Sequence, residues 1–336
     1  MDPWSGDDRE RTGGGGRPPA VMGEGDGMDR SAFVHQGCVY GGEDEFLRMA
    51  VPFITEGLER DEPVLVATTV ANIGSVRAAL GRRAHRVDFG ETGAFGRRPQ
   101  QRVAAFTAYR HRHPRDERVR ILAEPVWAGH TPRQVEAWEC MESALNTVLG
   151  GTGIHMICPY DSRTMPAPIV ANVRCTHPQL VHGTDVRPSG GYVQPVAFVR
   201  RRAAPLPSPP RDAVTLEFRG DLGRMRHAIV LETAALGLLG ERMMIFSAAV
   251  GEIVGGAAGG SGHPAVALWA QPGEVVCDVR LPVPLDPFIG LHPPTLDPTP
   301  GDGFWLARQI CDHLDVRPGS DGTIVRLHTP SPAPRT

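Results

Sequence analysis

At 336 residues the chain is long enough for two domains of ordinary size. Its 35 basic residues are all arginine, which excludes a P-loop lysine, a Schiff-base lysine and a lysine general base together. A net charge of −3 gives no basic footprint for nucleic acid, and no apolar run approaches the roughly 18 residues that a membrane span needs.

Residues 1–30, with MDPWSGDDRERTGGGG, read as a disordered tail without the apolar core of a signal peptide, so a cytoplasmic protein is expected. From Ala32 to Leu180 short apolar runs alternate with stretches of helical period, the pattern of an α/β domain with an open parallel sheet. The spacing predicts strands at Val34–Tyr40, Val64–Thr68, Arg86–Phe89, Val119–Leu122 and His155–Cys158. Helices are predicted at Glu43–Glu59, Ala71–Leu80, Pro99–Arg112 and Pro132–Leu149. Residues 183–211, with VRPSGG and PLPSPP, read as a semi-rigid linker. A second domain is expected over 212–329: the strand VTLEF, a helix capped by Asp221 and ending near Leu238, a helix Glu241–Ala258, and AVALWA and VVCDVRL joined at Gln271-Pro272-Gly273. A proline-rich loop over 282–300, a helix from Gly303 to about His313 and the strand TIVRLH complete an α+β sandwich, and 330–336 read as a tail. The six cysteines, Cys38, Cys140, Cys158, Cys175, Cys277 and Cys311, form no CxxC pair, so neither a disulfide framework nor a structural zinc site is expected, no metal ligand is assigned, and they read as buried thiols.

Ligands of open parallel sheets bind outside the carboxyl ends of the strands. The residues just past those ends here are Tyr40-Gly41-Gly42-Glu43, Glu124-Pro125-Val126-Trp127 and Cys158-Pro159-Tyr160-Asp161. The expectation is that Tyr40, Glu124, Trp127, Tyr160 and Asp161 line one crevice suited to a small, partly apolar ligand. The plainer alternative is that the glycines make turns, the tryptophan packs and the acids are solvated.

The stretch FVHQGCVYGGEDEFLRMAVPFITEGLERDEPVLVATT, followed by GRRP, LAEPVW, ESALN, CPYD and THP, resembles the MEDS domain, the sensory domain of DcmR-type regulators. The resemblance covers about residues 32–182 and implies a RecA/KaiC-like fold without working ATPase motifs, sensing small hydrocarbon derivatives or another signal. It adds His35, Glu142, Asn146 and His177 to the candidate ligand residues, and it marks Met141 as standing where such domains often carry histidine.

AVGEIVGGAAGG, VVCDVRLPVPLDP, GDGFWLARQICDHLDV and GTIVRLH, in that order, resemble the GHKL ATPase domain of anti-sigma serine kinases. The tandem resembles the RsbA family of actinobacterial regulators. The resemblance implies an ATP site at Glu252, Gly256, Gly301 and Gly303, with Glu252 as the catalytic residue if the site works. The parts are damaged: Gly256 stands where a magnesium-binding asparagine is needed, Leu281 where an adenine-binding aspartate is needed, and Val283 where glycine is needed. Asp278 and Asp286 are the two acids considered as replacements.

The resulting expectation is a non-catalytic regulator that senses a small-molecule signal and acts on a sigma factor or an anti-anti-sigma protein. No cofactor beyond weak magnesium-ATP is expected, nucleic acid and membrane are not expected as partners, and a homodimer is left open. The competing readings are an active serine kinase and a small-molecule sensor carrying a structural GHKL relic.

Overall fold

The continuous apolar runs become the inner strands of a sheet, and the stretches of helical period become the helices that cover it on both faces. The computed structural model describes residues 31–331 apart from 97, 126, 128, 203–204, 258–262, 295, 297–298 and 300, so the expected amino-terminal tail and residues 332–336 lie outside the described residues. The first unit runs β1 (Val34–Tyr40), α1 (Glu43–Glu59), β2 (Val64–Thr68), α2 (Val70–Leu80), β3 (Asp88–Glu91), α3 (Pro99–Arg110), β4 (Val119–Ala123), α4 (Pro132–Val148) and β5 (Ile154–Asp161). It continues with α5 (Ala167–Thr176), β6 (Gln179–His182), β7 (Asp185–Pro188) and α6 (Pro195–Arg202).

The strand order is β3-β2-β4-β5-β1-β6-β7, with every neighbouring pair parallel except the β6–β7 hairpin. One face packs Cys38, Val66, Leu122 and Ile157 against Phe46, Met49 and Ile54 of α1. The other packs Ile121, Met156 and Cys158 against Phe106 of α3 and Trp138 and Leu145 of α4. Thr131 starts α4 with a capping box, its hydroxyl accepting from the Gln134 amide while the Gln134 side chain accepts from the Thr131 amide.

The segment 183–211 differs from the linker expected there. It contributes β7 to the sheet, and α6 packs on α4 with Val199 in the core and Arg202 paired to Glu139. The prolines and the arginine run hide a short edge hairpin and a two-turn helix that buries just Pro195, Phe198 and Val199.

The second unit holds β8 (Val214–Glu217), α7 (Leu222–Ala235), α8 (Gly240–Ala257), β9 (Ala265–Gln271), β10 (Glu274–Leu281), α9 (Gly301–Ile310), β11 (His313–Gly319) and β12 (Gly322–Pro330). Its sheet is antiparallel throughout, in the order β11-β12-β10-β9-β8. Val275, Cys277 and Val279 face the helices and meet Ile229, Phe246, Val250 and Phe304. Asp221 caps α7 by accepting from the Arg224 amide at 2.9 Å, and Gly273 turns the β9–β10 hairpin at φ 80°. The helix expected to reach His313 stops at Ile310, and His313 opens β11, an edge strand that Pro318 and Gly319 obscured in the sequence.

The two units are in contact. Arg98 reaches Asp312 at 3.1 Å, Arg133 reaches Glu274 at 2.8 Å, and Arg317 reaches Glu136 at 3.0 Å. Phe288 and Leu291, from the proline-rich loop, are buried in the first unit's core. Among the described residues, no helix is long and apolar enough to cross a membrane.

Candidate functional site

Strand parity decides which strand-end residues can meet. Cys38 and Tyr40 on β1 point to the α1 face, whereas Cys158 and Tyr160 on β5 point to the α4 face. The single crevice expected from the sequence is therefore two sites on opposite sides of the sheet.

On the α1 side the Tyr40 hydroxyl donates to Glu124 Oε1 at 2.6 Å, while Asn72 Nδ2 and the Thr68 hydroxyl donate to Oε2, the amide at 2.9 Å. Buried Arg102 fixes the same loop from behind, donating to Thr92 Oγ1 at 2.7 Å and to the Glu124 carbonyl at 2.8 Å. Both carboxylate oxygens of Glu124 are thus occupied, and burial followed by the Glu124 charge pushes the Tyr40 phenol well up. This is a closed structural network. Thr68, Asn72, Thr92 and Arg102 were not among the sequence candidates, because nothing local in their spacing marks them.

On the α4 side, between the sheet and the ends of α4 and α5, His35, Glu142, Cys158 and His177 are all buried, and one ligand-type atom from each lies within 4.8 Å of every other. Glu142 and Asn146 share a face of α4 at i, i+4. Gly37 lets His177 come in against β1: a Cβ there would meet Val173 Cγ1 at 2.5 Å and His177 Cγ at 3.0 Å. His177 Nδ1 lies 2.9 Å from the Val173 carbonyl, which can only accept, so the proton is on Nδ1 and Nε2 carries a lone pair. Asn146 donates from Nδ2 to the Ser143 and Thr176 carbonyls, which turns its Oδ1 towards His35 Nδ1 at 3.1 Å. His35 Nε2 is thereby turned inward, 3.4 Å from Cys158 Sγ and 3.7 Å from Glu142 Oε2.

Two atoms of this cluster are left over. Glu142 Oε2 and His177 Nε2 are buried, 3.7 Å apart, and have no hydrogen-bond partner among the described residues. Burial, then His35, pulls His177 down to about 3, and burial, then Glu142, pushes the Cys158 thiol well up. Burial opposes the charged form of Glu142, but His35 and His177 outweigh it and hold the carboxyl below its ordinary value. Tyr160 packs edge-on against His177 at 5.6 Å, and a cavity of about 10 Å³ opens beside Glu142, Tyr160 and Trp127. Cys158, the fourth donor, lies inside the CPYD motif but was read from the sequence as a buried thiol. Its same-face spacing to Tyr160 was the signal that could have found it.

The remaining candidates lie elsewhere. Asp161 is occupied by Arg163, which donates from its backbone amide and Nε at 2.9 Å each and from Nη2 at 2.8 Å. Trp127 is buried between Trp138 and Tyr160. Met141 belongs to neither cluster: it lines a cavity of about 100 Å³ between the two units, with Arg98, Trp138, Phe288, Leu291 and Arg308.

In the second unit, Glu252 on α8 accepts from Arg226 at 2.8 Å, and Gly256 lies one turn on, near the end of the same helix. Gly303 has a packing role that the sequence reading did not foresee: a Cβ there would come within 2.5 Å of the Glu252 carbonyl, so the glycine lets α9 lie against α8. Gly301 begins α9 beside Asp302, whose carboxylate accepts from the Thr299 hydroxyl at 2.8 Å and the Thr299 amide at 3.1 Å. Neither replacement acid is free. Asp278 is buried in a two-pronged pair with Arg326, at 2.5 and 2.7 Å, on the sheet face away from the helices, and Asp286 accepts from the Phe288 amide at 2.8 Å. Leu281 is buried in the apolar core.

No curated protein matches the chain. Residues 34–178, the span from β1 to the end of α5 that holds both polar clusters, match the family described as MEDS, the methanogen/methylotroph DcmR sensory domain.

Proposed function

We propose that the chain is a signalling regulator whose first unit senses a small ligand or another signal and whose second unit acts on a sigma factor or an anti-anti-sigma protein through its surface, without phosphotransfer. The observation that carries this reading is the match of residues 34–178 to a sensory domain joined, through ion pairs and a shared core, to a second α+β unit. That second unit resembles the GHKL fold of anti-sigma kinases in the order of its motifs. The occupied states of Asp278, Asp286 and Glu252 support a protein-binding rather than a kinase role. An adenine amine set against Leu281 would be left unpaired at about 1–3 kcal/mol.

A two-hybrid panel of sigma factors and anti-anti-sigma proteins, followed by calorimetry on the purified pair, tests the reading. The expected result is one binding partner whose affinity is unchanged by magnesium-ATP. Serine phosphorylation of that partner, or magnesium-ATP binding at about 100 µM or tighter, would install the kinase in its place. The absence of any partner in the panel would leave a sensor with a structural second unit.

A further inference from the structure

We propose that His35, Glu142, Cys158 and His177 form a binding site for a late first-row divalent cation, zinc foremost. The inference rests on the donor cluster alone and stands whether or not the signalling reading holds.

Four observations converge on it. First, the donor set, two imidazole nitrogens, one carboxylate oxygen and one sulfur, is of the kind that zinc and its neighbours take and that magnesium or calcium do not. Second, the lone pairs are aimed. Each histidine gives its Nδ1 proton to an outer acceptor, His177 to the Val173 carbonyl and His35 to Asn146 Oδ1, so both Nε2 atoms face inward. Metal-bound histidines are held in this way, by a carbonyl or side-chain acceptor on the far nitrogen. Third, the spacing suits a tetrahedron. His35 Nε2 lies 3.4 Å from Cys158 Sγ and 3.7 Å from Glu142 Oε2, and His177 Nε2 lies 3.7 Å from the same oxygen. Zinc bonds of 2.0–2.3 Å place neighbouring ligands roughly 3.3–3.8 Å apart.

The fourth observation is the orphaned pair. Buried polar atoms are almost always hydrogen-bonded, yet Glu142 Oε2 and His177 Nε2 lie 3.7 Å apart with no hydrogen-bond partner among the described residues. A cation between them gives both atoms a partner. The charges also close: a thiolate and a carboxylate bring −2 into a buried space, which one divalent ion neutralises. On binding, the Cys158 S–H bond breaks, its electron pair passes to the metal, and the proton leaves to solvent or buffer.

The test uses the intact protein, produced in medium supplemented with zinc or with cobalt and dialysed against a weak chelator. Elemental analysis should find one metal per chain. The cobalt form should show the thiolate-to-cobalt charge-transfer band together with the intense visible bands of a four-coordinate site. Cys158→Ser should remove the charge-transfer band, while Cys277→Ser, whose thiol is buried in the second unit, should keep it. His177→Gln should weaken retention by at least about tenfold. X-ray absorption of the zinc form of the unaltered protein reads the same site without any substitution, and one sulfur in an otherwise nitrogen and oxygen shell is the expected result. A folded protein that leaves cobalt medium without stoichiometric metal overturns the proposal. So does a metal shell lacking sulfur, or a charge-transfer band that survives Cys158→Ser.

Discussion

Around Glu124 each carboxylate oxygen has a donor, whereas around Glu142, on the opposite face of the same sheet, an oxygen and a nitrogen are buried with no partner among the described residues. Both clusters join distant parts of the chain, and both sit against strand residues only a few positions apart. The difference is in how they are completed. The first is closed by the protein's own hydroxyls and amides and so holds loops together. The second leaves buried polar atoms without partners among the described residues, which is what a site for something absent from the chain looks like.

The largest effect expected to bear on this contrast comes from Glu124→Ala. It strips the acceptor from Tyr40, Thr68 and Asn72 at once and should cost about 3–5 kcal/mol in urea denaturation. Next is Gly37→Ala, whose new methyl would lie 2.5 Å from Val173 Cγ1. Overpacking should cost about 1–3 kcal/mol, and, by displacing His177, the variant should also lose metal retention in the cobalt assay.

His155 provides an intermediate case, with Nε2 bonded to Gln36 at 3.1 Å and Nδ1 unpartnered among the described residues. Burial first, then Arg120 and Arg118, lowers it to about 3, with Glu56 opposing and Arg60 adding to the fall. The unfolded chain binds this proton below about pH 6.5 and the folded chain does not, so stability should fall as pH drops from about 6.5 towards 3. The slope contributed by this residue is at most about 1.4 kcal/mol per pH unit, and His155→Gln should flatten it. The smallest effect is expected for Glu142→Gln in chelator-treated protein: a change within about 1 kcal/mol, because the Oε2 atom that is replaced has no hydrogen-bond partner to lose among the described residues. A loss as large as that of Glu124→Ala would erase the distinction between the two clusters.

Periodicity in the sequence located β1, β2 and α1 at the same residues that the structure assigns, because central strands and long amphipathic helices carry their burial in their own pattern. Residues 183–202 and 313–319 were harder to read. Their elements are short, lie at edges, and take most of their stability from neighbours, α6 from α4 and β11 from β12. The same limit applied to the sites. The rule about strand ends brought out Tyr40, Glu124 and Tyr160, and the family resemblance brought out His35, Glu142, Asn146 and His177. Cys158 stayed hidden because a buried thiol beside a histidine has the same local sequence as one without. Only the parity of β1 against β5 separates the two faces, and the pairing of these two strands, 120 residues apart, lies beyond any local window.

Helix α4 is fastened at two places. Its inner face holds Glu142 and Asn146 among the buried donors, while Arg133 and Glu136, towards its amino end, are tied to Glu274 and Arg317 of the second unit. A helix of 17 residues is a stiff rod about 25 Å long. Whatever repositions Glu142 therefore carries Glu136 with it and pulls on Arg317, which lies on β11, the edge strand of the second sheet. Occupancy of a space smaller than an amino acid would be felt as displacement in the neighbouring unit, with no linker required to transmit it.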